Sequence, residues 1–136
     1  MVTDDLTRGA VAPSGEHEIS RDPTLAARFL DDFLARYHTD HVDLLLLHNI
    51  NDQPDLDHVM APGGLLELAQ HLVRQGKARA IGFSGHSIPI ARAALESGSI
   101  DLLMFPVNLA GHAIPGRRDL LVYCEEQQVE GYRKTR

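Results

Sequence analysis

The stretch VDLLLLHNI, Val42 to Ile50, constrains the fold more tightly than any other part of the chain. Leu44 to Leu47, with Val42 just before Asp43, form an apolar run without polar alternation, so neither side of a strand made from it would be wet. Such a strand is covered on both faces. The run then stops abruptly on His48 and Asn49, which places two polar side chains at the exit of a buried strand.

The segments on either side extend the pattern. Asp22 suits a helix cap and Pro23 a first helical position, and Leu25, Phe29, Leu30, Phe33, Leu34 and Tyr37 recur at helical spacing. This predicts an amphipathic helix from Pro23 to about His38. After the strand, NINDQPDLDHVMAPGG reads as a long exposed loop that could form part of a site mouth. A second helix is expected from Gly64 to Gln75, with Leu65, Leu68, Ala69 and Leu72 on one face and Gly76 as terminator. ARAIGFSGHS is a strand that ends on Ser84, followed by a helix capped by Ser87 with Pro89 in its first turn. DLLMFPVN is the third strand, and Arg117 to Gln128 is the last helix, with Leu120, Leu121 and Cys124 inward. Helices and strands alternate throughout, which under the right-handed crossover rule gives an α/β fold with a parallel sheet and helices packed outside it. A barrel and an open doubly wound sheet both satisfy that order.

In either architecture reactive groups collect at the carboxyl ends of the strands. His48, His86 and His112 are the histidines expected there, and His48 stands out because it directly ends the buried run. The other histidines, His17, His38, His41, His58 and His71, fall in loops or on polar helix faces. GFSG, Gly82 to Gly85, lacks the GxGxxG spacing and serves equally well as a tight turn. No GxSxG elbow, HExxH helix or CxxC pair occurs, so neither a serine hydrolase nor a recognised zinc site is indicated.

Composition narrows the partners. The chain of 136 residues carries a net charge of −6 with its basic residues scattered, a field that repels polyanions and argues against nucleic acid. Cys124 is the one cysteine and forms no internal disulfide, which favours a reducing compartment. Met1 to Gly15 lacks the apolar centre of a secretory signal, and no run approaches the ~20 apolar residues that span a bilayer. A cytoplasmic protein that does not contact membrane is expected.

Taken together, HTDHVDLLLLHNI, GLLELAQHLVRQGKARAIGFSGHS and GSIDLLMFPVNLAGH, in this order and spacing, resemble the bacterial branch of the aldo-keto reductase family. The resemblance runs from about Ser20 to Val129. It implies a partial (β/α)8 TIM barrel of about three parallel strands, the fourth to sixth, with flanking helices. It also implies hydride transfer between NADP(H) and a small-molecule carbonyl or alcohol. The family's catalytic set is an Asp, a Tyr acid, a Lys and a His, and His48 looks like that histidine, which orients the carbonyl. Ser84 matches a serine that holds the nicotinamide amide, and Asn108 matches an asparagine after the sixth strand. Gly85 stands where a second asparagine is commonest, and Met104 where a glutamine is usual.

The departures are as informative. In the family the Lys ends the third strand, and Arg8 is the only basic residue near the start of this chain. The Asp, Tyr and Lys are therefore expected to be missing, and the seventh strand with its nicotinamide-stacking tyrosine is expected beyond Arg136. Residues 1–19 are expected to be irregular, 20–129 a partial barrel domain and 130–136 a charged tail, a pattern that suggests a truncated or frame-shifted reductase. Unpaired strand edges would favour self-association. Two other functions fit the same residues: an interaction fragment that pairs with a chain supplying the other strands, and a metal-dependent hydrolase-like barrel piece using His48, His86 and Asp52. No metal is assigned in the preferred reading.

Overall fold

The computed structural model describes residues 3–11, 13, 17–106 and 114–134. Its centre is a five-stranded sheet in the order β1-β4-β5-β6-β7, every neighbouring pair parallel. The strands are β1 (Thr3–Asp5), β4 (Val42–Leu47), β5 (Ala78–Ser84), β6 (Leu102–Pro106) and β7 (Glu130–Lys134). A small antiparallel ribbon, β2 (Arg8–Val11) with β3 (His17–Ile19), lies between the first two of these in sequence.

The three middle strands are those expected from the apolar runs. The two outer ones are not: β1 and the ribbon occupy the segment expected to be irregular, and β7 arises from the segment expected to be a charged tail. A strand is thus present at Glu130–Lys134, paired residue for residue with β6. The physical reason is that these strands take their hydrogen bonds from a neighbour, and the backbone supplies those whatever the side chains are.

Helices α1 (Pro23–Tyr37), α2 (Gln53–Met60), α3 (Leu65–Arg74), α4 (Ile88–Glu96) and α5 (Arg117–Glu126) fill the crossovers. The Asp22 carboxylate accepts from the amides of Thr24 and Leu25 and starts α1. His38 ends it in a left-handed conformation, φ 52° and ψ 44°. Helix α2 replaces the expected loop, because Asp52 accepts from the Asp55 amide at 2.9 Å, Pro54 sits in the first turn, and Leu56 and Val59 are buried. Two buried positions in eight residues are too few to announce a helix by periodicity. Ser87 does precede α4, but its side chain makes no capping bond. On α5, Leu120 and Cys124 face inward as expected, whereas Leu121 is partly exposed.

The core lies between helices and sheet. Leu45 and Leu47, Ile81 and Phe83, and Leu103 and Phe105 point into it from alternate positions of the middle strands, and Leu30, Leu56, Leu65, Ala94 and Leu120 meet them from the helices. Leu44, Leu46 and Gly82 share the opposite face, where a Cβ on Gly82 would meet methyls of both leucines at 3.1 Å. Residues at the exits of the strands on that face are the ones that can meet a ligand.

Candidate functional site at the carboxyl edge of the sheet

His48 follows β4 immediately, and its side chain is 48% exposed. Register places Leu47 opposite Phe83, Ser84 opposite Met104 and Met104 opposite Tyr132, so Ser84, Met104 and Tyr132 share one row of the sheet, and His48 follows Leu47 at the exit of β4. Asn108 and His112 fall outside the described residues. His86 is exposed two residues beyond β5, its amide donating to Asn51 Oδ1 at 2.6 Å.

Several contacts lock the backbone on which His48 sits. The guanidinium of Arg21 is bidentate to Asp55, with both N···O distances 2.6 Å, and donates to the main-chain oxygens of His48 at 3.1 Å and Asn49 at 3.2 Å. Ser84, nearly buried, accepts the Asn49 amide on its hydroxyl oxygen at 3.0 Å, and its own carbonyl accepts from Ile50 at 3.0 Å. Asn49 adopts φ 58° to make this turn. Gly85 is required beneath it, since a Cβ there would stand 2.4 Å from the Ile50 carbonyl oxygen.

The residue that the sequence did not signal is Asp5. Parallel pairing sets Asp5 opposite Leu46, and its carboxylate reaches His48 Nδ1 at 3.1 Å. The other carboxylate oxygen accepts both the amide and the hydroxyl of Thr7 at 2.7 Å. Burial pushes the Asp5 carboxyl up, but the hydrogen bonds from His48 and Thr7 outweigh it and hold the group below its ordinary value of 3.8. Asp5 is therefore a carboxylate at neutral pH. The strand beside β4 is where the resemblance placed a lysine, and an acid closes it instead. Arg8, the one basic residue noted near the start, is committed to Asp4 at 3.1 Å.

The tyrosines and lysines with described side chains lie elsewhere. Tyr37 ends α1, Tyr123 lies under the Arg92 guanidinium at 3.5 Å, and Lys77 pairs with Asp31 at 2.8 Å. Asp52 spends its carboxylate capping α2, and among the described residues no three His, Cys, Asp or Glu side chains converge as a metal site. The metal-dependent alternative gains no geometric support. Arg117, at the head of α5, is buried with Nε and Nη1 unpartnered. Cys124 is buried and its thiol is pushed up by that burial, so it behaves as a core side chain.

A cavity of about 530 Å³ opens at the opposite, amino edge of the sheet, between Asp43, Arg79, Asp101 and Gln128. It touches neither His48 nor Ser84. In a parallel α/β sheet that edge serves stability and not chemistry, so the carboxyl edge remains the candidate site.

A family model described as "Aldo/keto reductase family" matches residues 13–129. The chain belongs to the aldo-keto reductase family. No curated protein matches it significantly. Among solved structures, a Pseudomonas aeruginosa protein described as an aldo-keto reductase superposes with a TM-score of 0.76 at 22% identity, covering 98% of this chain and 48% of that one. The holo form of an aldo-keto reductase from Bacillus halodurans gives 0.75 at 16% identity, covering 97% and 41%. A glycerol dehydrogenase from Gluconobacter oxydans gives 0.69 at 23%, covering 95% and 38%. At these identities the likeness shows the fold, part of an aldo-keto reductase barrel. The chain spans less than half the length of these reductases. No helix among its described residues is long and apolar enough to cross a membrane.

Proposed function

We propose that this chain carries the histidine-bearing part of an aldo-keto reductase site, acting on a small-molecule carbonyl or alcohol with NADP(H) in the reducing cytoplasm. The observation that carries the reading is the position of His48 at the exit of β4, beside Ser84 across the sheet, in a chain of this family. His48 is the catalytic residue of this proposal, meeting the substrate oxygen. Ser84 fits a nicotinamide amide: its hydroxyl oxygen is engaged by Asn49, which leaves its own O–H to donate. Asn108 would add a second contact. The cofactor, when bound, supplies or accepts the hydride.

The same reading holds that this chain alone does not turn over. Its described tyrosine and lysine side chains lie away from His48, and of the described cations Arg21 is neutralised by Asp55 and Arg117 is buried. A tyrosine-type general acid contributes typically ~10²–10⁴-fold, so its loss removes most of the rate. Purified protein should not oxidise NADPH with aldehydes or quinones above background, and NADPH fluorescence should show no micromolar saturation. Turnover abolished by His48→Ala would show that a complete site resides in this chain. A second reading, a fragment that pairs with another polypeptide, is favoured by the sheet itself, since β1 and β7 each have a single neighbour in it.

A further inference from the structure

A histidine that orients a carbonyl must point a ring N–H at its oxygen. In a neutral imidazole only one nitrogen carries the proton, and the partner of the other nitrogen decides which. Here that partner is Asp5. Its Oδ1 is occupied by the two Thr7 donors, and its Oδ2 lies 3.1 Å from His48 Nδ1. An ionised carboxylate has only acceptors, so the ring must donate through Nδ1. Arg21 bonds the main-chain oxygen of His48 and is itself neutralised by Asp55, so among the described residues Asp5 is the charged group bonded to the ring.

We infer that Asp5 is a positioning residue that fixes neutral His48 as the Nδ1–H tautomer, leaving Nε2 with a bare lone pair for a hydroxyl-bearing ligand. This rests on the reading that places His48 at the substrate, and it names the substrate side that the site receives: an alcohol, whose O–H donates to Nε2. If the proton moves fully, the O–H bond breaks and leaves its electron pair on the substrate oxygen as an alkoxide, an Nε2–H bond forms, and the resulting imidazolium lies between that alkoxide and the Asp5 carboxylate. A carbonyl is served only by the doubly protonated ring. A lysine at the same strand exit could not produce this arrangement, because an ammonium has nothing with which to accept from Nδ1.

The test needs neither cofactor nor substrate. Protein labelled with ¹⁵N-histidine is examined by long-range ¹H–¹⁵N correlation at alkaline pH, above the ordinary imidazole value of about 6.5. The His48→Gln spectrum identifies the His48 signals among those of eight histidines. Wild type should show a protonated Nδ1. In Asp5→Asn the Thr7 donors keep the amide oxygen on their side, the amide nitrogen donates to Nδ1, and the proton should move to Nε2. Carbethoxylation of His48 by diethyl pyrocarbonate, followed by mass spectrometry with His58 and His71 as internal references, should slow several-fold in that variant. A protonated Nε2 in wild type overturns the inference, as does an unchanged tautomer in folded Asp5→Asn. If the variant does not fold, the wild-type spectrum decides alone. Failure of the NADPH experiments would leave this result standing, and the reverse is equally true.

Discussion

Adjacent carboxylates in β1 are driven in opposite directions by their surroundings. For Asp4, burial is the largest influence and raises its value above 3.8 despite the opposing charge of Arg8, and its Oδ2 is buried without a partner. For Asp5, burial is outweighed by His48 and Thr7, and the value is lowered. A lowered folded value means that Asp5 contributes stability above the unfolded value of 3.8 and loses it as pH falls through the folded one. A raised value means that the Asp4 contribution is complete below 3.8 and is lost as pH rises through its folded value. Urea midpoints across an acidic pH series should therefore diverge in sign. The advantage of wild type over Asp5→Asn should shrink as pH falls, and its advantage over Asp4→Asn should shrink as pH rises. Parallel slopes for the two variants would contradict this assignment.

At the scale of elements, the loop between β4 and α2 and the exit of β5 hold one another in place. Asn49 and Ile50 hang on Ser84, Arg21 clamps the same turn from the segment before α1, and Gly85 gives way to the Ile50 carbonyl. This explains why the asparagine usual at that position is missing here, a departure that the sequence displayed without a reason. Gly85→Asn should not improve cofactor binding. It should destabilise the fold by about 1–3 kcal/mol, the range for forcing extra atoms into a packed site, read from chemical denaturation. An unchanged midpoint with gained NADPH affinity would show that the turn relaxes freely. His48 and Ser84 were legible because each ends a recognisable strand. The clamp was not, since Arg21 and Asp55 are far apart in sequence and carry no spacing signal.

At the scale of the molecule, the sheet is five strands of a barrel architecture, and among the described residues β1 and β7 each have a strand neighbour on one side. Closure is what removes such edges in a full barrel, and exposed strand edges recruit other chains. Freshly purified protein is therefore expected to scatter light as oligomers or aggregates, and hydrogen exchange should be fast in β1 and β7 relative to β4 and β5. A monodisperse monomer with a sharp cooperative melt would mean that the sheet protects its own edges. The central strands should resist exchange longest because Leu45, Leu47, Ile81 and Phe83 are almost wholly buried.

By itself the sequence determined the alternation of helices and strands, the identity of β4, β5 and β6, the family, and the placement of His48 and Ser84 at strand exits. These follow from periodicity and apolar runs, which are local and record which side of each segment faces the core. Tertiary structure alone decided that TDD and EGYRK become strands, that QPDLDHVM becomes a helix, and that Asp5 meets an imidazole 43 positions away. Edge strands need little apolar pattern because a neighbour's backbone supplies their hydrogen bonds. The partner of His48 depends on register between β1 and β4, a relation between segments that is written in neither of them.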